Sequence, residues 1–338
     1  MSQPTYKYCI LGFGIAGQIL LLELLQRGIP GTEICIFDEH FLGGALATHY
    51  GTVLSNTPWW KTRKALVEYS QWSSAEIQEG DCKFQSDQCT PVAAIAAACF
   101  RTAKKALNFS KVTVFTAQVL SVHSGGSEKQ IQHIYGTVNC TGILFCTQGA
   151  EEKQLDLSFP TIPLWIALNP ALLAQHVTPD DTVTVFGTAH SGTIVLKHLH
   201  ELQIQTFAVY NTPKPFLFAR DGEYDGIKEG SATIADTILA GDYTHLTLIP
   251  WTEPLQLYKA LQKTTKVIYS VGFKPRKIQG LDNQYDPESG RLLAHEGVYG
   301  FGIAFPGVTV QGDKKYTDVS VLSFQEQIRR CLPKILPL

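Results

Sequence analysis

Between Tyr8 and Leu25 the chain is apolar at most positions, and Gly12, Gly14 and Gly17 interrupt the run. An unbroken apolar stretch of about 18 residues would span a bilayer. The glycines instead divide this one into strand, turn and helix, and it lacks the basic leader and small-residue cleavage site of an export signal. The pattern predicts a strand from Tyr8 to Leu11, a helix from Ile15 to Arg27 and a strand from Glu33 to Phe37, which together form a βαβ unit. The same order returns about 175 residues later, the mark of a second nucleotide-binding core. There a strand from Thr182 to Phe186 meets the turn Gly187-Thr188-Ala189-His190-Ser191-Gly192, then a helix from Thr193 to Leu202 and a strand from Gln205 to Tyr210.

Between the two units the pattern predicts an alanine-rich helix from Val92 to Leu107, a strand from Val112 to Val119, and a β-rich patch from Ile131 to Phe145. The patch ends in Cys146-Thr147-Gln148-Gly149-Ala150, and Pro160, Pro163 and Pro170 mark a connection into the second unit. A similar strand end, Val267 to Gly272, precedes Phe273-Lys274-Pro275-Arg276, and four glycines punctuate Gly297 to Gly307. Repeated strand-then-glycine endings point to crossovers where one domain is inserted into another. The expected fold is α/β, with two nested Rossmann-type domains: residues 1–160 plus 275–338 form the first, and residues 161–274 the inserted second. A length of 338 residues agrees with two domains.

Composition narrows the partners. Charged residues make up 17% of the chain and formal charge is −2, with no run of like charge, so neither nucleic acid nor an anionic membrane is expected. The default location is cytoplasmic, and oligomerisation is left open. The eight cysteines show no C-x-x-C and no zinc spacing, so no metal site is expected and most read as reduced core residues. Cys82 and Cys89 share a polar segment and form the one candidate redox pair.

The turn Gly12-Phe13-Gly14-Ile15-Ala16-Gly17 carries the first chemistry. Gly12 permits a tight turn, Gly14 lets backbone approach a pyrophosphate, and Gly17 lets the helix lie close to the strand. The helix start offers unpaired N–H groups and a positive dipole end. Asp38 follows Gly17 by about 20 residues, where a carboxylate can accept hydrogen bonds from ribose. A bland glycine turn is the alternative, and the acid weighs against it. Downstream, Leu42-Gly43-Gly44-Ala45 and Asn56-Thr57-Pro58-Trp59-Trp60-Lys61 either return to the cofactor or form a surface loop over a tryptophan pair.

Taken together, these motifs resemble the two-dinucleotide-binding-domain flavoproteins, which include pyridine nucleotide-disulfide oxidoreductases, thioredoxin reductases and flavin-containing monooxygenases. The resemblance covers nearly the whole chain and implies FAD at Gly12, Gly14, Ala16, Gly17 and Asp38, with Gly43, Gly44 and Asn56 towards the flavin. It also implies a backbone contact to adenine at Val119 and a strand end near the cofactor at Gly149. Val298-Tyr299-Gly300-Phe301-Gly302-Ile303 resembles the closing FAD motif. Ile303 stands where that motif usually has an aspartate, so a contact at Gly302 would come from its backbone.

The second turn resembles the NAD(P)H-binding unit and implies phosphate-side roles for Gly187, Ala189, Ser191 and Gly192. Ala189 puts a methyl group where the middle glycine would be, and a Rossmann-like core that has lost its ligand is the alternative. His190 either approaches nicotinamide or pyrophosphate or serves as a helix-cap or packing residue. Tyr210-Asn211-Thr212 supplies no ribose acid and Lys214 and Arg220 follow, which favours NADPH over NADH unless both are solvated loop charges.

FAD beside NAD(P)H implies hydride transfer to the flavin and a FAD-dependent NAD(P)H oxidoreductase with a small-molecule acceptor or oxygen. No cysteine follows Gly43-Gly44 in the loop and none lies between Ala150 and Arg330, which disfavours disulfide reduction. The stretch Phe159 to Leu173 has no histidine, which weakens a monooxygenase of the flavin-containing type. The alternative class is a non-catalytic flavin or nucleotide sensor, and no catalytic side chain is assigned.

Overall fold

The structure is a computed structural model and describes residues 3–75, 77, 89–125, 128–216, 229–311, 314–317 and 319–336. In chain order the first unit begins β1 (Thr5–Leu11), α1 (Ile15–Gln26), β2 (Ile34–Asp38), α2 (Ala45–Thr48), β3 (Leu54–Pro58), α3 (Trp59–Val67), β4 (Cys89–Pro91) and α4 (Val92–Ser110). It continues with β5 (Thr113–Thr116), β6 (Val119–Gly125), β7 (Glu128–His133) and β8 (Gly136–Cys146). The predicted strand from Val112 to Val119 is thus two strands, because Ala117 turns back to bond the Asp38 carbonyl (N···O 3.0 Å).

The first sheet runs β5-β2-β1-β8-β7-β6. β5, β2, β1 and β8 are parallel, whereas β8, β7 and β6 form an antiparallel meander. Every residue of α1 from Ile15 to Leu24 is buried, as expected of a helix enclosed on all sides. It packs against α4 and the C-terminal helix α10 (Val321–Ile335). Burial reaches Glu23, whose Oε1 accepts from the Tyr69 hydroxyl at 2.6 Å and from Arg329 Nε of α10, also at 2.6 Å. The far end of the chain is thereby tied to its first helix.

β9 (Ala150–Glu152) leads away to α5 (Leu164–Ala167), α6 (Pro170–Leu173), β10 (Thr182–Phe186), α7 (His190–Glu201), β11 (Gln205–Tyr210) and α8 (Glu229–Leu239). β12 (Leu246–Pro250), α9 (Pro254–Leu261) and β13 (Lys266–Tyr269) follow, and β14 (Phe273–Pro275) returns antiparallel to β9. The second sheet is fully parallel, in the order β12-β11-β10-β13. Strand alternation divides its two faces: Val183 and Val185 meet α7 and α8, whereas Phe186 meets Tyr269, Leu155 and Leu257. β15 (Val298–Gly300) then joins the first sheet beside β8. The first sheet therefore draws on chain both before and after the second, and the fold is α/β with two Rossmann-type units, one inserted in the other.

The units touch where Tyr50 and Val53 pack against the second core. The Tyr50 hydroxyl reaches Glu152 Oε1 at 3.3 Å, while Glu152 Oε2 accepts from Leu164 N at 2.9 Å. Among the described residues no helix is long and apolar enough to cross a membrane, and no three His, Cys, Asp or Glu side chains group as a metal site would need.

Candidate nucleotide-binding sites

The first turn leaves β1 at Gly12, where φ is +99°. A Cβ at Gly12 would lie 2.8 Å from the Thr147 carbonyl oxygen, and one at Gly17 would lie 2.3 Å from Gly12 O. These two glycines are required by the protein's own packing. Gly14 differs: its φ of −68° and ψ of −173° suit any residue. The nearest described atom to an added Cβ is Gly44 Cα at 4.0 Å. The space in front of Gly14 is open, at the start of α1, whose first-turn N–H groups have no intrahelical acceptor. That opening is the cradle a pyrophosphate would fill.

The walls of the cradle come from both sides of the sequence. Gly44 (φ +81°) lies against Gly14, since a Cβ there would stand 2.7 Å from Gly14 Cα. The neighbouring Gly43 has φ +89°. Thr147 donates its hydroxyl to Gly12 O at 2.7 Å, and Gly149, two residues on, has nothing described within 4 Å of an added Cβ. Gly302 (φ +92°) closes against the first turn of α1, where an added Cβ would meet Ala16 Cβ at 2.5 Å. Next to Gly302 in the chain, Ile303 is 38% exposed. Gln148 is buried, donates Nε2 to Arg276 O at 3.0 Å, and leaves Oε1 without a partner. The residues present thus fit an extended dinucleotide.

Asp38 holds this arrangement together. One carboxylate oxygen accepts from Phe13 N at 2.7 Å, and the other accepts from Phe41 N at 2.7 Å and His40 N at 3.2 Å. A carboxylate accepts about four hydrogen bonds, so capacity remains for a ribose hydroxyl. Above it Phe13 and Phe41 stack at 4.9 Å with Phe100 edge-on to both, and Phe41 takes φ +50°. Sequence reasoning missed this aromatic clamp, although Phe13 and Phe41 beside the two glycine turns were its signal; Phe100 comes from the middle of α4. Val119 opens β6 opposite His133. The residue bonded to the Asp38 backbone is Ala117. Asn56 lies mid-strand in β3.

The second turn repeats the first. Gly187 has φ +94°, and an added Cβ would lie 2.4 Å from Ser270 O, while one at Gly192 would lie 2.0 Å from Gly187 O. Ala189 is the N-cap of α7, so the helix starts at His190 rather than at Thr193. Ser191 is half-buried in its first turn. The His190 imidazole joins Ser231 Oγ of α8 (2.6 Å) and lies 3.4 Å from the Leu54 carbonyl of β3. A cavity of ≈ 510 Å³ opens at this edge of the second sheet, lined by Gly187, Tyr210, Asn211, Trp251, Lys153 and Lys274 among others. Lys214 is exposed, with its carbonyl accepting from Thr212 Oγ1 at 2.6 Å, and is not among the described lining residues. Arg220 and Cys82 lie outside the described residues, and Cys89 begins β4 opposite Pro58. The six other cysteines are buried thiols. Burial pushes Cys99 and Cys146 up to about 12, which keeps both protonated.

No family model and no curated protein matches the chain in sequence. In structure it resembles the bacillithiol disulfide reductase of Staphylococcus aureus, at 13% identity over 98% of each chain and a TM-score of 0.63. A flavin-containing monooxygenase from Stenotrophomonas maltophilia aligns at 14% identity over 98% of each chain with a TM-score of 0.60. Thioredoxin reductase from T. acidophilum aligns at 13% identity over 98% of each chain with a TM-score of 0.56. The chain therefore shares its fold with disulfide and thioredoxin reductases and with a flavin-containing monooxygenase.

Proposed function

We propose that the protein is a FAD-dependent NAD(P)H oxidoreductase that passes electrons to a small-molecule acceptor or oxygen. The observation that carries this reading is Gly14. Its backbone is unstrained and its surroundings open, so its lack of a side chain serves a ligand rather than the protein. Gly12, Gly14, Ala16 and Gly17 would face the pyrophosphate, Asp38 the ribose, and Gly43, Gly44, Gly149 and Gly302 the flavin half. Val119 and Asn56 belong to the same proposed site as flanking contacts, through backbone and strand position. Bound FAD would supply hydride acceptance. The chain's own contributions are orientation and exclusion of water: the Phe13–Phe41–Phe100 clamp fixes the loop, and Ile303 presents an apolar edge. NAD(P)H would occupy the second turn at Gly187, Ala189, Ser191 and Gly192, with His190 ordering the start of α7.

Protein purified from cells should be yellow with stoichiometric FAD, and the flavin should bleach when NADPH is added without oxygen. Gly14→Val should fold and be colourless. FAD retained by that variant would remove the first site. Bound flavin inert to both nicotinamides would instead make the protein a flavin or nucleotide sensor, a reading that the Ala189 methyl in the second turn favours.

A further inference from the structure

The strands that join the two units carry charge into the second cavity. Lys274 of β14 stands directly opposite Glu151 of β9, and Lys153 is two residues beyond Glu151. By strand alternation all three side chains share one face. The other face carries Glu152 and Phe273, which meet Tyr50. Lys153 and Lys274 both line the cavity, together with Asn211 at the end of β11. In a Rossmann unit the end of that strand is where ribose hydroxyls are read, and an acid there serves a plain ribose. Asn211 removes the negative charge, and two lysines line the same cavity, with the Glu151 carboxylate 4.0 Å from Lys274 Nζ. The rest of the cavity suits a purine: Trp251, 47% exposed, lies edge-on to Phe186 at 6.3 Å, and both rings are part of the lining.

We propose that this cavity takes an adenosine nucleotide bearing a second phosphate on its ribose, read by Lys153 and Lys274. The inference rests on the second turn being a nucleotide site and names what that site selects. The selecting cations come from the connecting strands, not from the loop after β11, where Lys214 sits exposed. Phosphate on the 2′ position identifies NADPH as the source, and phosphate on the 3′ position identifies a coenzyme A-type ligand.

Isothermal titration of the purified protein with 5′-AMP, adenosine 2′,5′-bisphosphate and adenosine 3′,5′-bisphosphate tests it. One bisphosphate should bind more than tenfold tighter than AMP, and added salt should weaken that binding more steeply than AMP binding. Each lysine-to-alanine change should cost that bisphosphate about tenfold, the worth of one charge-assisted hydrogen bond, and cost AMP much less. Lys214→Ala should change neither, and Glu151→Gln should tighten the bisphosphate. Both lysines are exposed, so the variants fold, which thermal unfolding verifies. Equal affinity for AMP and both bisphosphates overturns the proposal and leaves the nucleotide site standing, as does a preference that survives Lys153→Ala/Lys274→Ala. If neither AMP, the bisphosphates nor NADPH binds, the second-site reading fails and the proposal with it.

Discussion

The two glycine turns have nearly the same backbone and different equipment. At the middle position φ and ψ are −68° and −173° for Gly14 and −72° and −172° for Ala189. In both, the first glycine donates its N–H to the end of the next strand, to Phe37 O at 2.7 Å and to Val209 O at 2.8 Å. In both, the third glycine lies so close to the first that a Cβ would overlap its carbonyl. What differs is everything that would meet a ligand. The first turn has an open middle position, a loop brought to it by Gly44, and a carboxylate clamp. The second has a methyl group, a wide cavity and two lysines. The outer glycines of such a turn build the fold, and the middle residue and its surroundings decide the ligand.

Alanine at the outer and middle glycines should separate these jobs most sharply. Gly17→Ala and Gly192→Ala each force a Cβ into backbone at 2.3 and 2.0 Å, and overpacking of this kind costs about 3 kcal/mol. Gly14→Ala should change stability by less than about 1 kcal/mol, since the residue's φ and ψ suit alanine, and should still weaken FAD. Urea unfolding with matched flavin absorbance reads both. A Gly14→Ala variant as unstable as Gly17→Ala would erase the distinction between fold glycines and ligand glycines.

The clamp is the next largest difference. Asp38→Ala removes three acceptor contacts to backbone N–H groups, and a charge-assisted bond contributes about 1.5–3 kcal/mol. A loss of about 2 kcal/mol is expected, with FAD release beyond that which lower stability explains. Among the described residues the second turn has no equivalent. There Thr188 donates its hydroxyl to Pro215 O, and Thr188→Val should cost about 1 kcal/mol. Equal losses for the two variants would mean that the carboxylate acts as an ordinary neutral hydrogen bond.

The sequence made the turns legible because their requirements are local: positive φ and close approach are written in glycine spacing. Asp38 was legible from its place at the end of β2, although its bonds to Phe13, His40 and Phe41 depend on how the loop folds back. The cations of the second cavity were not legible. Lys153 and Lys274 are over a hundred positions apart in the chain and become neighbours only through the pairing of β9 with β14, whereas reasoning along the chain weighs only nearby charges such as Lys214 and Arg220. The start of α7 was read three residues late because His190 and Ser191 lack the apolar signal of a helix. His190 belongs to it because Ala189 caps it as Gly14 caps α1.

The smallest expected effect compares one histidine from each unit. His133 ends β7 of the first sheet, with its ring 5.5 Å from Phe37 and 5.4 Å from Phe115, and its Nδ1 accepts from Tyr135 N at 3.4 Å. His198 in α7 has Nδ1 3.1 Å from the Ala167 carbonyl, a geometry that needs the N–H on that nitrogen. Burial lowers the pKa of each below the ordinary 6.5, for His198 against a smaller opposing pull from Ala167. A lowered folded pKa means that the unfolded chain takes up protons first as pH falls. The stabilisation is therefore complete above the unfolded value and shrinks as pH drops below about 6.5. Each histidine should contribute a small share of the decline between pH 7.5 and 5. His133→Phe, which keeps the aromatic contacts, should flatten part of that slope, and His198→Gln another part. Asp181 in the second unit adds a later decline. Burial works to raise its pKa, but the Lys266 ammonium at 2.7 Å and the Thr265 and Thr178 donors overcome this and hold it at about 2. Stability from this group is lost only as pH falls from about 4 towards 2. Urea unfolding at pH 7.5, 6.5, 5.5 and 4.5 measures the histidine part. A midpoint that does not move over that range in the parent protein would show that both rings titrate in the fold as they do in the unfolded chain.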